Sequence, residues 1–220
     1  MKQKAQIIQA TLRTRTNFSV LHMFSAVSFS KQVHLIEEQN KGAVFGAFYE
    51  DIFSYSTACI FSVVASLESY INEIYIDGGI NFPDIRAEVM KEVWKNTDKK
   101  PILEKYDFAL LLKKKSLLIK GYELYQNVNL VINLRNTLIH FKPEWDGQQS
   151  EHCKISAKLQ SKFRKSPFMK NESFLPKAWA SYECTNWAVK SCIDFIYDFE
   201  NRFGVESRFD KFRNRLTVSK

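Results

Sequence analysis

Apolar residues recur every three or four positions along most of this chain, the spacing of helices that each bury one face. The longest run is residues 45 to 76, where Phe45, Phe48, Ile52, Tyr55, Cys59, Val63, Leu67, Tyr70 and Ile74 fall on one side. It predicts a single long helix ended by Gly78 and Gly79. Small residues on that helix, Ser54, Ser62, Ala65 and Ser66 among them, would let a second helix approach closely. A helix over about 18 to 40 is expected from Leu21, Phe24, Val27, Leu35 and Ile36. Pro83 should open a shorter helix with Ile85, Val89 and Val93 or Trp94 inward, because a first-turn proline loses no hydrogen bond.

Pro101 starts the next element, which carries Ile102, Tyr106, Ala109, Leu110 and Leu112 inward and ends at Lys113 to Lys115. Gly121 separates it from a helix over about Glu123 to Phe141, closed by Pro143. The final stripe, Cys184, Ala188, Cys192, Phe195, Phe199 and Phe203, predicts a helix over 178 to 203 stopped by Gly204. Residues 146 to 176 sustain no period and are rich in lysine, glutamine and serine, so a long basic loop is expected, with one short helix near Ile155 to Phe163. No alternating strand, hairpin signal or internal repeat interrupts the pattern. The expectation is an all-α protein, a bundle of long antiparallel helices forming one domain over 18–204. A basic arm at 1–17, mobile or the start of a helix, precedes it, and a basic tail at 205–220 follows.

Composition supports one ordinary folded domain: 220 residues, 45% hydrophobic and 25% charged. Charge changes the picture more. The formal net charge is +8, with a sequence pI of about 9.2, which favours a polyanionic partner. Residues 1 to 16 carry four basic groups and no acid, and Lys154 to Lys177 carries seven against Glu172 alone. Phosphate backbones suit such patches, and a merely solvated basic surface is the plain alternative. Cys59, Cys153, Cys184 and Cys192 lack C-x-x-C spacing, so neither a zinc nor a redox motif is present. With no leader and no uninterrupted apolar run of spanning length, the expected compartment is the cytosol, without membrane attachment.

Candidate chemistry concentrates between Leu130 and Trp145. Asn133, Asn136 and His140 share a helix face away from the apolar positions 128, 131, 134, 138 and 141. Arg135 lies about 140° round from His140, so the two meet only through a long side chain or a departure from ideal helix. On their own these residues also suit a structural role, a helix-terminal histidine and an ion-paired arginine. Glu68 and Asn72, four apart, share a face of the long helix. Lys113, Lys114 and Lys115 either end their helix favourably for its dipole or contact phosphate. His22, His34 and His152 have no partners at ligand spacing and are expected at the surface. Trp179 and Trp187 suit a core better than a base-stacking platform. No cofactor or metal is implied.

The stretch Leu134-Arg135-Asn136-Thr137-Leu138-Ile139-His140-Phe141-Lys142-Pro143 resembles the HEPN superfamily, whose signature is an arginine, often followed by a polar residue, with a histidine four to six residues on. The resemblance covers roughly residues 45 to 203. It implies a helical bundle that dimerises with two Arg/His motifs facing one cleft, and metal-independent cleavage of RNA to 2′,3′-cyclic phosphate and 5′-hydroxyl ends. Histidine would move the protons and arginine would hold the phosphate charge. Arg135, Asn136 and His140 would then be catalytic, Glu68 and Asn72 supporting, and Lys142, Lys113, Lys114, Lys115, Lys162, Arg164 and Lys165 RNA-binding. Toxins of this kind, and effectors of phage defence, imply an antitoxin partner. Lys142 stands where toxins neutralised by adenylylation carry a tyrosine, which argues against that mode of control. The alternative is a non-catalytic HEPN module that binds nucleotide or RNA, or serves as a dimerising partner.

Overall fold

The computed structural model describes residues 16–143, 145 and 150–217. Among the described residues eight α-helices form and no strand: α1 Phe18–Gln39, α2 Phe48–Ile76, α3 Gly78–Asn81, α4 Ala87–Thr97, α5 Ile102–Leu112, α6 Glu123–Ile139, α7 Ser150–Gln160 and α8 Tyr182–Phe203. The protein is all-α. The expected basic arm falls almost wholly outside the described residues, as do 146–149 of the expected loop.

Helix α2 is the spine. Its apolar stripe buries Ile52, Cys59, Ile60, Val63, Leu67 and Ile71 completely. By length and composition it could cross a membrane, with mean hydropathy 1.3 over its most apolar stretch, yet 44% of that stretch is buried in this fold. Helix α1 runs antiparallel to it: Ser66 near the end of α2 donates to the Ser19 carbonyl at the start of α1 (2.7 Å). Phe29 and Tyr55 stack farther along the pair. Helix α8 runs the same way as α2. Phe53 meets Trp179 just before α8 begins, and Tyr70 meets Phe199 near its end.

Aromatic rings fill the junction of α2, α5 and α8. Tyr106 sits edge-on to Phe195 and Phe199, with ring centres 5.0 and 4.7 Å away, and its hydroxyl donates to the Leu67 carbonyl (2.8 Å). Each such ring removed from water contributes roughly 1.5–3 kcal/mol. Burial also pushes the Tyr106 hydroxyl and the Cys184 and Cys192 thiols well above their ordinary ionisation range, which leaves these groups neutral.

Several boundaries differ from expectation. The helix after Pro83 starts at Ala87 and buries Met90 and Thr97, while Val89 is exposed. Gly78 lets Met90 pack close, since a Cβ there would stand 3.3 Å from the end of the Met90 side chain. Helix α8 begins at Tyr182, four residues late, because the Ser181 side chain accepts from the Cys184 N–H and fixes the first turn. It stops at Gly204 (φ +81) as expected. Helix α7 lies earlier than predicted, and Leu159 within it and Phe163, Phe174 and Leu175 beyond it are buried, so much of the expected loop is packed against the fold.

Residues 205–217 of the expected basic tail are instead docked. Phe209 and Leu216 are buried, and Phe212 packs edge-on against Phe24. Arg208 donates to Glu73 (2.9 Å) and Asp77 (3.1 Å) and lies over the Tyr70 ring. Glu73 also accepts from the Ser19 N–H and hydroxyl. One carboxylate thus joins α1, α2 and the C-terminal segment.

Candidate active site

Helix α6 buries Val128, Leu130, Val131 and Leu134. Its other face is unusual for a solvated helix. Asn129, Asn133 and Asn136 are exposed there, although asparagine costs about half a kcal/mol relative to alanine at a helix-interior position. The helix ends at Ile139, short of the expected Phe141. His140 occupies the C-cap, where its N–H donates to the Asn136 carbonyl (3.0 Å). The backbone therefore leaves helical geometry before Pro143 acts.

Helix α7 folds back across this end. The His152 ring stacks on Phe141, centres 4.6 Å apart and planes 11° from parallel. His152 Nε2 lies 3.2 Å from the Lys142 carbonyl oxygen. A carbonyl only accepts, so Nε2 carries the proton, and in the neutral ring Nδ1 is the basic nitrogen. His140, His152, Asn133 and Asn136 line one cavity of about 410 Å³, together with Lys154 and Lys158. His152 is buried, contrary to the surface position expected from sequence. The signal was present: His152, Ser156, Leu159 and Phe163 recur at four, three and four, and all are buried.

The remaining predicted residues are dispersed. Arg135 is half-buried on α6 and does not line this cavity, and its Nε is buried without a hydrogen-bond partner among the described residues. The helical offset between Arg135 and His140 thus persists in the folded chain. Glu68 and Asn72 converge on Lys105, whose ammonium lies 3.1 Å from the carboxylate and 3.2 Å from the amide oxygen. Lys105 is 1% exposed, so its charge needs these partners. Lys113 lies over the Phe203 ring. Lys162 pairs with Glu123 (3.1 Å), Arg164 pairs with Glu183, and Lys165 donates to the Glu172 carbonyl (2.6 Å). Lys114, Lys115 and Lys142 are exposed. No cluster of three or more His, Cys, Asp or Glu among the described residues could hold a metal ion.

Two imidazoles, neighbouring amides and two lysines in one open cavity can bind a phosphodiester and exchange protons with it. Compared with family models, with curated proteins and with solved structures, the chain matches none.

Proposed function

We propose that this protein is a metal-independent endoribonuclease of the HEPN type, acting in the cytosol as a toxin or phage-defence effector. The observation that carries the reading is the meeting of His140 and His152 with Asn133 and Asn136 in one cavity. In the reaction, one imidazole takes the proton from a ribose 2′-hydroxyl as that oxygen attacks phosphorus. The bond from phosphorus to the 5′-oxygen breaks, and the second imidazole, protonated, supplies the leaving oxygen with a proton. A 2′,3′-cyclic phosphate and a 5′-hydroxyl result. Asn136 and Lys154 orient and neutralise the phosphate.

Arg135 lies off the cavity wall, so its part in catalysis requires a second copy of the chain, whose Arg135 enters the first copy's site. A homodimer therefore belongs to the reading, and an antitoxin that covers the cleft would silence it. The separation of Arg135 from His140 also favours a second reading, a non-catalytic module that binds RNA or nucleotide or serves as a dimerising partner. Incubating the purified protein with RNA in EDTA separates the two. Cutting that His140→Ala abolishes, with the helices intact, supports the enzyme, whereas intact RNA with salt-sensitive binding supports the module.

A further inference from the structure

The α6 face does not end at the histidine cavity. Gln126, Asn129, Asn133, Asn136 and His140 alternate three and four residues apart, are all exposed, and form one row about 21 Å long. A second cavity, of about 470 Å³, continues from the first and shares Leu130, Asn133 and Lys158 with it. Facing the amide row, α7 and its C-terminal extension present Lys154, Lys158 and Lys162, each about 6 Å farther along. Lys120 and Tyr125 line the far end. No acidic residue is among the described residues lining either cavity.

We infer that the groove between α6 and α7 binds a single RNA strand, phosphates along the lysine wall and base edges along the amide wall, and leads it to His140. This rests on the ribonuclease reading only in taking RNA as the ligand. The two walls differ in the way a single strand requires. Lysines spaced along one side track a backbone. Uncharged amides, each able to donate and to accept, suit the exposed edges of unpaired bases. A duplex turns those edges inward and would leave the amide wall unmatched. The Lys162 pair with Glu123 does not obstruct this, because the glutamate side chain is 77% exposed and such pairs exchange readily. Tyr125 offers a ring for a base at the entrance.

The test uses the full chain and a fluorescein-labelled oligouridine about a dozen nucleotides long, 2′-O-methylated so that it cannot be cut, with anisotropy followed across a salt series. Each phosphate contact contributes about −0.7 to the slope of log affinity against log salt. Replacing Lys154, Lys158 and Lys162 together by glutamine should make the slope shallower by about 2 and weaken binding about tenfold or more at low salt. Asn129→Ala with Asn133→Ala should weaken binding and leave the slope alone, since amides release no counterions. Glutamines at Lys41, Lys95 and Lys190, exposed lysines elsewhere, should change neither. A slope unmoved by the groove lysines, an equal effect from the control set, or better competition by duplex RNA would overturn the inference. Cleavage is read separately: a groove that binds as stated in a protein that cuts nothing removes only the nuclease reading, and cutting without groove dependence removes only this one.

Discussion

The junction of α2, α8 and residues 205–217 and the face between α6 and α7 treat polar groups in opposite ways. At the junction the charged groups pair with one another inside the protein. Tyr70 donates to Glu200 (2.8 Å), which also accepts the Arg208 N–H (3.1 Å), and Arg208 joins Glu73 and Asp77. Between α6 and α7, amides, lysines and a histidine face an open groove. Closed networks of this kind hold a fold together. Polar residues that weaken their own helix and face solvent instead leave their donors and acceptors to water or to a ligand.

Breaking the closed network should cost most. Arg208→Ala leaves the Glu73 carboxylate, 10% exposed, without its cation, and should lower unfolding stability by about 3 kcal/mol in a urea titration. The next effect concerns pH. Burial raises Glu37 to about 7, although its carboxylate accepts the Tyr182 N–H (2.8 Å). Between about pH 4.5 and 7 the folded protein keeps a proton that the unfolded chain has released, so stability should fall as pH rises through that window. Glu37→Gln should flatten the fall by on the order of 2 kcal/mol, and Glu200, also raised by burial, should leave a residue of the same sign. Smaller and opposite in sign, Asn133→Ala should stabilise the protein by about half a kcal/mol while weakening RNA binding. The groove-lysine triple variant should leave the unfolding free energy in urea unchanged within about 0.5 kcal/mol. Strong destabilisation by that variant would make the groove structural and erase the contrast.

Much of the fold was legible because its signals are local. The stripe Cys184 to Phe203 and its stop at Gly204 appear as expected, as do α1, α2 and α5. What stayed hidden depends on distant contacts. Arg208 in isolation is one more cation in a basic tail, and only the approach of Glu73, far away in sequence, docks it. Glu68 and Asn72 share a face of α2, but Lys105, on another helix, decides what they hold. The site was half legible: helical spacing put Asn133, Asn136 and His140 together and kept Arg135 apart. His152 was less legible because its short period, shared with Ser156, Leu159 and Phe163, is set among lysines and serines.

The proposed function stands or falls on whether the α6 face carrying His140 cuts RNA without metal. The direct measurement is the rate of RNA cleavage in EDTA by the wild type and by His140→Ala, with the product ends mapped. The expected result is 2′,3′-cyclic phosphate ends from the wild type and a loss of about a hundredfold or more in the variant at unchanged helix content. Undiminished cleavage by His140→Ala, or 3′-hydroxyl ends formed only when a divalent metal is added, would contradict it.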